Sequence, residues 1–157
     1  MEAVASFKAL AASLHGQSLS YIWRGHGSSI FIEFGDLTPK ANRGSSSTHS
    51  EGAVSLGVEW SWRIEDETDI LCGSWSDEGI WETAIDQLRD AQVSGLKLFG
   101  RLPEVELVTE GGVRFLSFST TEGQPQWHLV DRRTDPPRWF TVRAGQLHVG
   151  DGSEPAL

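Results

Sequence analysis

The sequence predicts a mainly β fold of the β-rich α+β class: an antiparallel sandwich or flattened barrel with an N-terminal helix and one mid-chain helix. Three observations favour it. Apolar residues alternate with polar or small ones through residues 53–63. Short alternating segments separated by glycine- or proline-containing turns recur over most of the chain. Only two stretches show the three- and four-residue apolar spacing that is typical of helices.

Residues 53–63 carry the strongest strand pattern. Five apolar side chains fall on every second position: Val54, Leu56, Val58, Trp60 and Trp62. The pattern predicts one central strand with both indoles over the core. Replacing Trp60 by alanine is therefore expected to cripple folding, because truncating a buried aromatic costs roughly 3–5 kcal/mol.

The first β half is expected over residues 18–73, after a helix over residues 2–15. Two alternating segments predict a hairpin across a glycine-rich turn: residues 18–24 and 29–35. Residues 36–52 combine proline, glycine and a serine run without periodicity, which predicts a long loop that is disordered in part. A short strand is expected at residues 70–73.

A second helix is expected over residues 77–89, with Ser76 as the N-cap. The second β half follows over residues 92–149, and Gly111-Gly112 predicts a hairpin. Its expected strands are residues 92–100, 104–110, 113–119, 126–131, 138–143 and 146–149. Residues 150–157 are expected to form a frayed tail, and residues 1–157 a single domain.

The two halves share one plan. Residues 14–36 and 88–112 each contain a leucine, a turn, a strand, a second turn and a second strand. Tryptophan-bearing segments follow at residues 59–63 and 126–131. The pattern predicts two related β-meander halves that pack face to face or close on one another. An unduplicated β-rich α+β fold is the alternative.

The formal net charge of −9 limits the kinds of partner that we expect the protein to bind. Nucleic-acid binding rests largely on Lys and Arg neutralising phosphates, so no nucleic acid is expected. An acidic surface favours a basic protein, although solubility alone is the alternative explanation. The first residues lack the pattern of a signal peptide, and no apolar run approaches the roughly 20 residues of a membrane span. We expect a cytoplasmic location without membrane contact, and the oligomeric state is left open.

No catalytic residue, metal site or cofactor is predicted. The histidines are His15, His26, His49, His128 and His148, and no two of them have the spacing of a local metal-ligand pair. The single cysteine, Cys72, excludes an internal disulfide, and its apolar neighbours predict a buried, inert thiol.

Acidic residues lie on both sides of Trp75, the tryptophan that we expect to be most exposed. The predicted partner-binding residues are Glu65, Asp66, Glu67, Asp69, Trp75, Asp77 and Glu78. An aromatic anchor inside an acidic rim suits a basic partner. A merely solvated turn is the alternative, and most of the other tryptophans are expected in the core.

The succession of a hairpin, a tryptophan-containing strand and a second hairpin resembles small bacterial domains of unknown function. Some of these domains sit beside toxins as presumed immunity proteins. The resemblance covers about residues 14–149 and rests on strand spacing and on the turns at Arg24-Gly25 and Gly111-Gly112. It implies a protein-binding role and no catalytic residues.

Three functions follow from these observations. The first is a non-catalytic protein-interaction module of the immunity type that binds a basic partner. The second is a small-ligand-binding β domain with an apolar cavity between its sheets. The third is an enzyme with a site among the C-terminal strands, which would bring together and use His128, Arg143, His148 or Asp131.

Overall fold

Thirteen strands and two helices form the described part of the chain, residues 2–41, 48–123 and 126–153, in the computed structural model. The helices are α1 (Glu2–Ser13) and α2 (Glu78–Asp86). The strands are β1 (Leu19–Arg24), β2 (Ile30–Phe34), β3 (Thr38–Ala41), β4 (Thr48–Glu51), β5 (Val54–Val58), β6 (Trp62–Glu65), β7 (Ile70–Gly73), β8 (Val93–Phe99), β9 (Glu104–Thr109), β10 (Arg114–Ser117), β11 (Trp127–Asp131), β12 (Arg138–Arg143) and β13 (Gln146–Gly150). The predicted β-rich α+β class is confirmed.

Two large antiparallel sheets pack as a sandwich, the first of the two predicted architectures. The six-stranded sheet has the order β1-β2-β5-β11-β12-β13, and the five-stranded sheet has the order β7-β6-β10-β9-β8. β3 and β4 form a separate hairpin. Buried apolar residues of both sheets and both helices form one hydrophobic core, so the helices are part of the same packing unit as the sheets.

The two large sheets repeat one strand plan. The order β1-β2-β5-β11-β12 matches the order β8-β9-β10-β6-β7, so five strands of one half correspond to five of the other, while β3, β4 and β13 have no counterpart. α1 precedes β1 as α2 precedes β8. The halves are thus related, as the sequence indicates. However, they exchange strands: each sheet combines three strands of one half with two or three of the other.

Local irregularities recur at matched positions. A register shift occurs in both β1 and β8, between Leu19 and Tyr21 and between Val93 and Gly95. Just before these shifts, Ser18 pairs with its counterpart Gln92 in an isolated antiparallel bridge. The halves therefore meet at equivalent residues, which supports an internal two-fold relationship.

Trp62 of β6 and Trp127 of β11 occupy matched positions, and both are buried. The Trp62 Nε1–H donates to the carbonyl oxygen of Ser28 at 2.7 Å, and the Trp127 Nε1–H donates to that of Pro103 at 3.1 Å. Each ring also meets an aromatic ring of one helix edge-on: Trp62 meets Trp81, and Trp127 meets Phe7. Burial of an indole is favourable when its N–H has a hydrogen-bond acceptor, and the N–H groups of both tryptophans have one.

The prediction of one central strand over residues 53–63 is wrong. The chain leaves the six-stranded sheet after Val58 and enters the five-stranded sheet at Trp62. Trp60 lies in the crossing and is 49% exposed. The alternation of apolar residues gives no sign of this crossing between the sheets, because Trp60 has the spacing of a strand residue although the chain turns there. The expected collapse on replacing Trp60 does not follow from this structure.

The loop predicted over residues 36–52 contains the β3–β4 hairpin, in which Thr38 lies opposite Glu51. Residues 42–47, between the two strands in the sequence, lie outside the described residues, as does the disorder predicted there. A strand pair outside the core needs no alternating apolar residues, so periodicity did not reveal it. The base of the hairpin is held by the buried Glu33 carboxylate, which accepts the Gly52 N–H at 3.0 Å.

The predicted helices are shorter in the structure, ending at Ser13 and running over Glu78–Asp86. Asp77, not Ser76, is the N-cap residue of α2, and its side chain makes no capping hydrogen bond. The Ser76 hydroxyl instead accepts the Gly73 N–H at 3.0 Å, which ties the chain back to β7. The other predicted strands begin and end within two residues of the observed ones. Residues 154–157 of the predicted tail lie outside the described residues.

Candidate partner-binding site

The seven predicted partner-binding residues lie at the two ends of β7, an edge strand of the five-stranded sheet. Glu65 ends β6, and Asp66, Glu67 and Asp69 follow in the turn to β7. Trp75, Asp77 and Glu78 follow β7. Since β7 has four residues, the two groups are about 13 Å apart along the strand. The acids therefore flank β7 and do not form a ring around Trp75.

Asp66 organises the turn between β6 and β7. Its carboxylate accepts the backbone N–H of Thr68 at 2.9 Å and of Asp69 at 2.8 Å. These hydrogen bonds, that from Thr68 first, lower the pKa of Asp66 below its ordinary value. The Thr68 hydroxyl donates to Asp69 at 2.9 Å. The turn thus holds its carboxylates in a fixed arrangement that faces water.

Two of the acids are paired within the molecule. Glu65 lies 2.9 Å from the Arg63 guanidinium, and Glu78 lies 2.8 Å from that of Arg24. Glu67, Asp69 and Asp77 are exposed. From Glu65 to Glu78, both included, the sequence has six acids and no Lys, Arg or His. The local charge around β7 is therefore negative.

Trp75 is 81% exposed, which confirms the expectation for this residue. Its neighbours are fixed: the Ser74 N–H donates to the Trp62 carbonyl oxygen at 2.9 Å, and the Ser76 N–H to that of Gly73 at 3.0 Å. Because both neighbours bond back to the sheet, the indole between them is directed into solvent. A large apolar side chain in this position is a candidate contact for another molecule.

Two further exposed apolar residues adjoin Trp75, and neither was predicted as a site residue. Ile70 is 62% exposed and Phe118 is 47% exposed. Both line, with Trp75, a surface hollow of about 340 Å³. The Arg63 guanidinium carbon lies 5.5 Å from the centre of the Phe118 ring. Strand alternation marks such residues as apolar but does not distinguish the core from an exposed face.

These side chains form one mixed surface beside β7. We call it the β7 surface, and it consists of Glu65, Asp66, Glu67, Asp69, Ile70, Trp75, Asp77, Glu78 and Phe118. Its centre is apolar apart from the Arg63 guanidinium, which pairs with Glu65, and its ends are acidic. It offers apolar contact and hydrogen-bond acceptors, but it contains no nucleophile or base with a partner arranged for catalysis.

The four residues of the enzyme hypothesis are spread along the C-terminal strands. His128 and His148 both lie opposite Thr141, one on each side of β12. Asp131 is buried at one end of β12, where it pairs with Arg133 and Arg138. Arg143 lies at the other end of that strand. The four side chains therefore share no single cleft.

His128 has the most perturbed environment of these four residues. Burial first, and then the charge of Arg132, lower the pKa of His128 to about 4. Its ring lies 6.0 Å from the Phe31 ring and 5.3 Å from the Trp139 ring, measured between centres. An imidazole held neutral among aromatic rings stabilises packing without charge.

The described residues contain no group of three or more His, Cys, Asp or Glu side chains that could hold a metal ion. Cys72 is buried, and burial raises the pKa of its thiol. Neither described helix has the length and apolar character needed to cross a membrane.

Comparison with protein-family models, curated proteins and solved structures gives no significant match.

Proposed function

We propose that the protein is a non-catalytic interaction module that binds a basic protein partner on the β7 surface. The observation that carries the proposal is the exposure of Ile70, Trp75 and Phe118 on a surface whose flanking segment has six acids and no base. Solitary exposed apolar residues are ordinary, but three around one hollow are typical of a contact surface.

The two components of the β7 surface have separate roles in this proposal. The indole of Trp75 enters a pocket of the partner, where loss of water makes an aromatic anchor effective. The carboxylates of Glu67, Asp69 and Asp77 attract a basic patch and orient it during approach. The resemblance to immunity-type domains suggests a toxin as the basic partner. The proposal places the module in the cytoplasm and includes neither nucleic acid nor membrane among its partners.

Association kinetics with a purified binder test both roles. Proteins retained by the immobilised chain supply the binder, and the measurement compares the wild type with two variants. One replaces Glu67, Asp69 and Asp77 by serine, and the other is Trp75→Ala. Asp66 is left unchanged because its carboxylate holds the turn. The matched control replaces Glu2, Asp36 and Glu122, three exposed acids away from β7, by serine.

We expect the triple variant to associate about tenfold more slowly at low salt and nearly as fast as the wild type at 1 M salt, where the Debye length is about 3 Å. Trp75→Ala should mainly accelerate dissociation. The control, with the same change in net charge, should behave as the wild type. Equal kinetics of all four proteins would overturn the proposal.

A further inference from the structure

The four edge strands of the two sheets differ in how they end the sheet. The ladders of β1, β8 and β7 each contain a register shift, and β7 has only four residues with acids at both ends. β13 pairs with β12 over five residues without a shift and contains no Lys, Arg, Asp or Glu. Irregularity and charge normally protect an exposed edge from pairing with another chain. Among the described edges only β13 lacks both irregularity and charge, although α1 contacts this strand.

The turn before β13 determines which backbone groups face the open edge. Arg143 and Gln146 flank a two-residue turn in which Ala144 and Gly145 both have positive φ, 49° and 74°. Such a turn makes the flanking pair a hydrogen-bonded one, and hydrogen bonding then alternates along the ladder.

This alternation shows in which direction the backbone groups of the other β13 residues point. His148, opposite Thr141, directs its N–H and C=O toward β12. Leu147 and Val149 direct theirs away from β12, toward the open edge. No strand of the described residues lies on that side. Two donors and two acceptors are therefore spaced for another strand.

We propose that β13 pairs antiparallel with β13 of a second copy of this chain. The two-fold axis passes beside His148, so that Leu147 of each copy exchanges backbone hydrogen bonds with Val149 of the other. The six-stranded sheets then form one continuous antiparallel sheet through both copies.

A second copy fits this edge because the pairing is self-complementary. His148 faces its own counterpart, and the uncharged Gln146 lies opposite Gly150, so no like charges meet within the strand. The charge of −9 on each copy opposes association but is screened beyond about 10 Å at 0.1 M salt. Dimerisation should therefore strengthen as salt rises, whereas binding of a basic partner should weaken. The contact is small, which predicts a weak and reversible dimer.

Sedimentation velocity over a concentration series tests the pairing with charge variants at its centre. His148 is exposed on the outer face, so His148→Asp and His148→Lys leave the monomer core intact. Like charges placed directly opposite each other should weaken each homodimer about tenfold or more. An equimolar mixture of the two variants should recover a dimer, because Asp and Lys then face each other.

A second pair of variants tests the backbone hydrogen bonds. Val149→Pro removes an N–H that faces the open edge, whereas Val149→Ala retains it. Thermal melting of the monomers checks that each variant is folded. We expect dimerisation to survive Val149→Ala and to be lost in Val149→Pro. A wild type that stays monomeric into the millimolar range, a His148→Asp variant that dimerises like the wild type, or a mixture that recovers no dimer would overturn the proposal.

Discussion

The outer faces of the two large sheets carry different side chains at matched positions. On the six-stranded sheet these are Trp23, Phe31 and His128, and on the five-stranded sheet they are Lys97, Glu106 and Arg63. In both sheets these residues form one cross-strand row: Trp23 faces Phe31 as Lys97 faces Glu106. Gly57 and Leu116 hold the matched middle positions, next to His128 and Arg63 respectively. One framework therefore carries two different surfaces.

The row on the six-stranded sheet is an aromatic cluster. The Trp23 and Phe31 rings are stacked with centres 4.1 Å apart, and His128 continues the row over Gly57. The Trp23 indole N–H donates to the buried Glu33 carboxylate at 2.9 Å. This face carries a small packed cluster of rings, in which the Trp23 N–H has an internal acceptor.

The row on the five-stranded sheet consists of charged residues around Glu106, whose side chain is only 10% exposed. The Lys97 ammonium lies 2.9 Å from Glu106 Oε1, an ion pair that lacks hydrogen-bond geometry, and Arg114 lies 3.6 Å from Glu106. Lys97 and Arg114 are the exposed partners of these pairs, so water screens the attraction from their side. The matched inner faces therefore build the fold. The side chains of the outer faces and edges differ between the halves, and these surfaces carry the proposed contacts.

The largest expected effect on stability is at the buried tryptophan that the two halves share. Trp62→Ala and Trp127→Ala should each lower the free energy of unfolding by about 3–5 kcal/mol, because each removes a buried indole with a bonded N–H. Trp60→Ala, at the exposed crossing, should cost about 1 kcal/mol or less. Denaturant unfolding of the three variants measures these differences. If the protein kept its stability without either buried indole, the two tryptophan positions would not be equivalent.

The pH dependence of stability should come from the aromatic face. The pKa of His128 is about 4 in the folded protein, against about 6.5 for an unperturbed histidine. Between these values the unfolded chain binds a proton that the folded protein does not. The free energy of unfolding should therefore fall as the pH drops through this window, by on the order of 3 kcal/mol.

His128→Phe is the control for this prediction, since it keeps an aromatic ring but cannot titrate. It should flatten the stability profile between about pH 6.5 and 4. Asp131, whose pKa is lowered, loses its contribution only below that window. Identical pH profiles for the variant and the wild type would show that His128 is not buried as described.

A smaller effect distinguishes two glycines on the outer faces. A Cβ at Gly57 would lie 2.4 Å from the His128 ring and 2.9 Å from the Phe31 ring, whereas a Cβ at Gly95 would have no atom within 4 Å. Gly57→Ala should destabilise the protein by about 1–3 kcal/mol. Gly95→Ala should change stability by less than about 1 kcal/mol. Equal melting temperatures for the two variants would contradict the close packing of the aromatic row.

Local chemistry explains which parts of the fold were predictable. The β1–β2 and β9–β10 hairpins follow from glycine-bearing turns between alternating segments, and the two helices follow from apolar spacing. The repeat was visible because Leu14 and Leu88 precede similar strand pairs. The crossing at Trp60 and the exchange of strands were not predictable, since periodicity describes the neighbours of a residue and not the partner of a strand.

The candidate site was predictable only in part, for the same reason. Trp75 stands among small polar residues, which indicated exposure, and the acids around it indicated charge. Ile70 and Phe118 belong to apolar segments that also supply core residues, and only the sheet order shows which face they occupy. The open edge of β13 likewise depends on its place at the end of a sheet.

The exchange of strands between the halves determines where β7 and β13 lie in the two sheets. An engineered disulfide tests it directly. Arg63 of β6 lies opposite Leu116 of β10, from the other half. In a Cys72→Ala background, Arg63→Cys with Leu116→Cys should form a disulfide under mild oxidation. The cross-link should raise the free energy of unfolding by about 2–4 kcal/mol.

The matched control joins Arg63→Cys with Lys97→Cys, which lies in the same row but on β8. Three strand spacings, about 14 Å, separate that pair, which is too far for a disulfide. Mass spectrometry of the oxidised proteins gives the answer. We expect a bridge in the first variant and free thiols in the second, and free thiols in a folded first variant would contradict the exchange of strands.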